Sequence, residues 1–146
     1  MLGVIYHWDN KRDIGVAAKR LVYQGYDYTC RAYNVDRVVV VDLDGDFGSI
    51  NAQGVLCVNS INSALQEFAG YTPILVSCDN EAMSLNDFIH PSKGVYIVGG
   101  DFSELNLTDE IDCIRIDYTC QNMELWSDVA LGIVLYDRST KVNCGC

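Results

Sequence analysis

Three groups of side chains have the types and spacing to do chemistry. The first is Val38-Val39-Val40-Val41-Asp42-Leu43-Asp44-Gly45-Asp46, an apolar run that ends in carboxylates two residues apart. Paired carboxylates at a strand end are of the type that can do acid–base or nucleophilic work. A calcium loop is excluded, because Phe47 occupies the sixth position, where the turn needs Gly, and Gln53 the twelfth, where a Glu ligand is required. A solvated acidic loop at a strand end is the plainer alternative. The second group is Gly94-Val95-Tyr96-Ile97-Val98-Gly99-Gly100-Asp101, an apolar run into two glycines and an acid, where a ligand can approach the backbone closely or the chain simply turns. The third is sulfur and imidazole. Cysteines 30, 57, 78, 113, 120, 144 and 146 are odd in number and mostly lie within apolar runs such as Gly54–Asn59 and Pro73–Cys78. Buried, reduced thiols fit that pattern better than a disulfide framework. Cys144-Gly145-Cys146 is a weak chelating candidate, no cysteine pair has zinc-knuckle spacing, and His7 and His90 are single, so no metal site is expected.

These groups need elements to position them. Leu2–Tyr6, Arg37–Val41, Pro73–Val76 and Val95–Val98 are short, dense in β-branched residues and suited to strands buried on both faces, with Cys113–Ile116 a weaker fifth. Between them, Asp13–Gln24 carries Ile14, Ala17, Ala18, Leu21 and Val22 at helical spacing behind a possible Asp13 cap. Ser60–Ala69 repeats the pattern and ends before Gly70. Ser84–Ile89 reads as a short helix or turn. Glu124–Asp137 is apolar on nearly all sides and should be a buried helix. Alternating strand and helix predicts an α/β fold with a mostly parallel sheet flanked by helices.

The 146 residues fit one domain, expected over 1–138, with 139–146 as a loose tail. Ten basic against 20 acidic residues leave a net charge of −10, which excludes gripping nucleic acid by bulk charge but allows a local basic patch. No run approaches the ~20 residues of a membrane span and the apolar start is too short for a signal peptide, so a soluble cytoplasmic protein with no membrane partner is expected.

The strand ending in Asp42-Leu43-Asp44 resembles the opening of haloacid-dehalogenase-type phosphatases, which would imply a phosphatase with Asp42 as nucleophile and Asp44 as general acid, and Gly100-Asp101 resembles their later magnesium-binding Gly-Asp. The family's first motif lies near its start, whereas 41 residues precede Asp42, and Leu105 stands where a partner carboxylate belongs. A second resemblance covers most of residues 1–138. The glycine-ended strand before Asp101, the strand ending in Ile116-Asp117, and Leu125-Trp126-Ser127-Asp128-Val129-Ala130-Leu131 are similar to the SPOUT superfamily of trefoil-knotted, S-adenosylmethionine-dependent RNA methyltransferases, in its 2′-O-ribose branch. Trp126 to Leu131 looks like the His-Ser-Glu-Val-Ala-Ala of archaeal tRNA cytidine-56 enzymes. Arg31-Ala32-Tyr33-Asn34-Val35-Asp36 is similar to their Arg-Ala-Phe-Gly-Ala-Asp. In another register, Asp13-Ile14-Gly15-Val16-Ala17-Ala18-Lys19 lies over the Asn-x-Gly-Ala-Ile-x-Arg of the other branch.

The resemblance implies a C-terminal trefoil knot, methyl transfer to a ribose 2′-hydroxyl of RNA with tRNA as the expected substrate, and a homodimer through the first and last helices. The S-adenosylmethionine would be wrapped by Gly99, Gly100 and Asp101, by Ile116, and by Leu125, Trp126 and Ser127, with Ser77 or Cys78 as a further wall. A basic group near the first helix handles the hydroxyl proton in this family, which makes Arg12, Lys19 and Arg31 the catalytic candidates; solvated surface charge is the alternative for each. The Ser and Asn of the larger branch at the final motif are replaced by Glu124 and Trp126, so a catalytically weakened relative that binds the cofactor or a partner remains the alternative function. Tyr23, Tyr26, Tyr28 and Tyr33 are crowded together and suit a dimer face, base stacking or core edges.

Overall fold

A computed structural model describes residues 1–8, 15–43, 45–50, 54–77, 81–99, 111–117 and 125–143. Its strands are β1 (Leu2–His7), β2 (Arg37–Val41), β3 (Leu56–Val58), β4 (Thr72–Val76), β5 (Met83–Ser84), β6 (Gly94–Gly99) and β7 (Asp112–Arg115). Its helices are α1 (Val16–Ala32), α2 (Ile61–Gln66) and α3 (Ser127–Asn143), with a 3-10 turn at Asp46–Ile50. The strands form one sheet in the order β3-β2-β1-β6-β4-β7-β5, and every neighbouring pair is parallel. This is the expected α/β architecture. The expected knot depends on how segments 100–110 and 118–124 thread, and both lie outside the described residues.

The five β-branched runs are strands because both sheet faces are covered. Side chains alternate along a strand, so Leu2, Val4, Tyr6 and the following Trp8 enter the core under α1 and α3, while Ile5 enters the core under α2. Val39, Val41, Val95 and Ile97 join Ile5, and Val40, Tyr96 and Val98 take the opposite side. β3 and β5 are short edge strands. The Gly54–Asn59 run therefore does not bury its thiol: Cys57 is exposed on the edge, whereas Cys30 is buried and Cys113 half-buried, and none of the three is in a disulfide. Cys78, Cys120, Cys144 and Cys146 lie outside the described residues.

The helices differ from expectation at their ends. α1 runs through Gly25 to Ala32, and Gly25 lies close against α3: a Cβ there would stand 2.8 Å from the Asp128 carboxylate. It stops where Asn34 takes φ 53°, with Val35 N–H bonded to Cys30 C=O and Asn34 N–H to Arg31 C=O, a Schellman ending. Gly15 occupies its N-cap; the expected Asp13 cap is outside the described residues. α2 is capped by Ser60, whose Oγ accepts from Ser63 N–H at 3.1 Å, and it closes early because Glu67 and Phe68 bond three residues back. The 84–89 segment opens as β5 and continues in turns rather than helix. α3 begins at Ser127, and residues 139–143, expected in a loose tail, extend it to Asn143. Lys141 holds that end down by donating to the carbonyls of Leu85, Asn86 and Phe88. Only one face of α3 is buried, through Ala130, Leu131, Val134 and Leu135; Val129, Ile133 and Tyr136 are exposed.

Candidate functional site at the carboxyl ends of the strands

Open parallel sheets bind ligands outside the carboxyl ends of their strands, where the strand order reverses. Here it reverses beside β1, since β2 and β3 extend the sheet one way and β6 and β4 the other. His7 pairs with Val41 on one side and Gly99 on the other, so three strand ends lie abreast, about 4.8 Å apart. Beyond Gly99 the ends of β4 and β7 follow, which brings Ser77 and Ile116 into the same row; Ser77 N–H bonds to Ile114 C=O at 2.9 Å. Ile116 is half-buried. Asp117, next along, accepts from Ser84 and from Arg115, and these bonds hold its carboxyl below the ordinary range, Ser84 contributing most.

Gly99 is glycine for a different reason from the one expected. Its φ is 145°, and a Cβ would stand 2.4 Å from the carbonyl oxygen of His7. The missing side chain lets β6 press against the end of β1. Ser127 is the first residue of α3. Leu125 and Trp126 are exposed beside it at the start of α3. Gly100, Asp101 and Arg12 lie outside the described residues.

The structure separates the remaining two basic candidates. α1 runs back from the carboxyl ends of the strands to their amino ends, so Lys19 lies near the mouth and Arg31 twelve residues further, about 18 Å away along the helix. Arg31 has 74% of its side chain exposed and pairs with Asp27 at 2.9 Å. Lys19 donates to both oxygens of Asp46 at 2.8 Å. Trp8 Nε1–H donates to the same carboxylate at 2.9 Å. These bonds, Lys19 first, hold the Asp46 carboxyl below its ordinary value. Asp42 serves the same loop: its Oδ2 accepts from Phe47 N–H at 3.0 Å, and Phe47 is wedged between the rings of Trp8 and Tyr23. Asp44 is outside the described residues. Among those described, no three His, Cys, Asp or Glu side chains gather as a metal would require.

Asp46 and Trp8 were missed from the sequence. Their signal was the third acid of the Asp42-x-Asp44-x-Asp46 run and an aromatic directly after the first strand. The tyrosine group is mostly core: Tyr26 stacks on Tyr6 at 3.6 Å, Tyr23 meets Phe47 edge-on, Tyr33 packs at the core edge, and Tyr28 faces solvent. Behind them a cavity of about 520 Å³ opens between α1, the start of β2 and Gly54-Val55. Its charged walls are already engaged, Arg31 with Asp27, Arg37 with Glu67, and Asp36 with Leu2 N–H. Burial pushes the Cys30 thiol in its floor up to about 12, which leaves it inert as a nucleophile.

No protein-family model matches the chain, and no curated protein does. Solved structures do match. The A. aeolicus TrmH/SpoU tRNA modifying enzyme aligns over 99% of this chain and 76% of its own, at TM-score 0.72 and 18% identity. A structure described as giving insight into 2-OH methylation of C/U34 on tRNA aligns over 97% and 91%, at TM-score 0.71 and 14% identity. An AdoMet-bound rRNA methyltransferase from Sinorhizobium meliloti aligns over 95% of this chain but 56% of its own, at TM-score 0.64 and 18% identity. At such identities the likeness is one of fold, and the sheet described above has the TrmH/SpoU α/β architecture. No helix among the described residues is long and apolar enough to cross a membrane.

Proposed function

We propose that the chain binds S-adenosylmethionine across the ends of β6, β4 and β7 and methylates a ribose 2′-hydroxyl of RNA, with tRNA the expected substrate. The observation that carries this reading is the row of strand ends at Gly99, Ser77 and Ile116, in a sheet whose structural neighbours include an AdoMet-bound methyltransferase. The residues fit such a ligand: they offer main chain and a half-buried apolar side chain, which suit an adenine ring, with the exposed Leu125 and Trp126 at the rim. When bound, the cofactor supplies a methyl group on a sulfonium leaving group. Gly100 and Asp101 belong to the same proposed wall, Lys19 and Arg12 to the basic side of the mouth, and the trefoil threading and the archaeal cytidine-56-like branch to the same reading.

Calorimetry with S-adenosylhomocysteine tests it: binding in the micromolar range is expected, and no heat at high micromolar concentration sinks the reading. Tritium transfer to bulk tRNA then separates an enzyme from a binding module without turnover. The module is the second reading, favoured by the net charge of −10 and by the engagement of Lys19 with Asp46.

We further infer a homodimer through α1 and α3. Val129, Ile133 and Tyr136 recur at helical spacing on the open face of α3, and Leu21 and Tyr28 flank Gly25 on the neighbouring helix. Sedimentation velocity should give a dimer at micromolar concentration and a folded monomer for Ile133→Asp. A wild-type monomer would overturn it.

A further inference from the structure

Resting on the methyltransferase reading, we propose that Asp46 is the positioning residue of that site, fixing the Lys19 ammonium beside the end of β1 as a standing cation for the substrate hydroxyl rather than as a base. The juxtaposition is specific. Lys19 comes from α1, Trp8 from the residue after β1, and Asp46 from the loop after β2, and all three meet at one carboxylate. That carboxylate is itself held. Phe47, next in sequence, is buried between Trp8 and Tyr23, and its amide is tied to Asp42. The cation is thus set by a rigid frame, which is what an electrostatic group needs to act without reorganising. It is also reachable, since 14% of the Lys19 side chain and 23% of the Asp46 side chain remain exposed. Trp8 follows His7, the register partner of Gly99, so the pair stands one strand away from the proposed cofactor wall.

A lysine that donates to both oxygens of one carboxylate is engaged as an ammonium, with no lone pair to take up a proton. In the step it serves, the ribose oxygen gains the methyl carbon as the carbon–sulfur bond leaves its electron pair on sulfur, and the hydroxyl proton passes to water at the mouth. Lys19 lowers the cost of negative charge on that oxygen, and Asp46 keeps Lys19 there.

Four variants test this by tritium transfer to tRNA and by tRNA binding to protein saturated with S-adenosylhomocysteine. Lys19→Arg should keep kcat within about threefold, because guanidinium keeps the charge and cannot act as a base. Lys19→Met should lose roughly 100-fold in kcat and bind tRNA several-fold more weakly. Asp46→Asn should lose roughly 10- to 100-fold in kcat with the affinity for S-adenosylhomocysteine unchanged. The double variant should be no worse than Lys19→Met, since Asp46 acts through Lys19. If Asp46→Asn does not fold, Asp46→Glu replaces it with the same expected loss. An inactive Lys19→Arg, a fully active Asp46→Asn, or additive losses in the double variant would each overturn the assignment. Cofactor binding with no transfer to any RNA overturns it too while leaving the cofactor site standing; absence of cofactor binding overturns the methyltransferase reading itself.

Discussion

Two polar clusters sit at opposite ends of the sheet, and their contrast separates the end proposed to act from the end that holds. At the carboxyl end, Lys19, Asp46 and Trp8 meet in a cluster whose Lys19–Asp46 ion pair is partly open to solvent. At the amino end, His90 has its ring fully buried between the Tyr96 hydroxyl at 2.6 Å and Asp137 at 2.8 Å, and Lys141 reaches the same carboxylate at 2.8 Å. The carboxylate only accepts, so His90 Nε2–H donates to Asp137 and Nδ1 accepts from Tyr96. That second cluster joins α3 to β6 and to the turn before it. Burial accordingly raises the Tyr96 phenol and lowers the His90 imidazole, keeping both neutral.

The contrast is broken most strongly at Asp137. Replacing it by Ala leaves the buried His90 Nε2–H without its acceptor and removes one anchor of Lys141, which should cost about 3 kcal/mol in urea unfolding. A cost under about 1 kcal/mol would show that the cluster does not hold α3.

Acid titrates the same cluster. The imidazole lies below its ordinary 6.5, first because burial disfavours the cation, against the opposing pull of Asp137. A group with a lowered folded value binds its proton more readily in the unfolded chain. Its contribution is therefore present above pH 6.5 and lost as pH falls through the folded value. Tm should fall on acidification from about pH 6.5, and His90→Gln, which does not titrate, should flatten that arm. The Asp46 carboxyl lies below its ordinary 3.8, so its own loss comes at more acid pH and the two windows separate. An unchanged acid arm in His90→Gln would assign it to other groups.

How much of this was legible follows from the range of each interaction. The five strands could be read because burial on both faces writes continuous β-branched runs such as Val38–Val41 into the sequence. β3 and β5 could not, being two or three residues long at the sheet edges, where burial imposes little pattern. The first helix was expected over Asp13–Gln24, yet it runs on through Gly25, whose close contact with Asp128 only the packed structure reveals. The extension of α3 depends on Lys141 meeting carbonyls more than fifty residues earlier. At the site, Lys19 was a candidate through the family resemblance, but its partner is 27 residues away, beyond any local spacing rule. Gly99 was placed correctly at a strand end, whereas its steric duty toward His7 required the register of β1 against β6.

The smallest expected effect on stability is at Asp46, and it sharpens the comparison most. Its pair with Lys19 is partly exposed and screened, so Asp46→Ala should cost about 1 kcal/mol or less in urea unfolding, well under the value at Asp137. Trp8 keeps its place through Phe47 and Tyr6, because aromatic packing does not depend on the indole N–H bond. The same carboxylate is expected to matter far more for turnover than for folding. If Asp46→Ala instead cost as much as Asp137→Ala, both ends of the sheet would be structural anchors, and the division between an acting end and a holding end would fail.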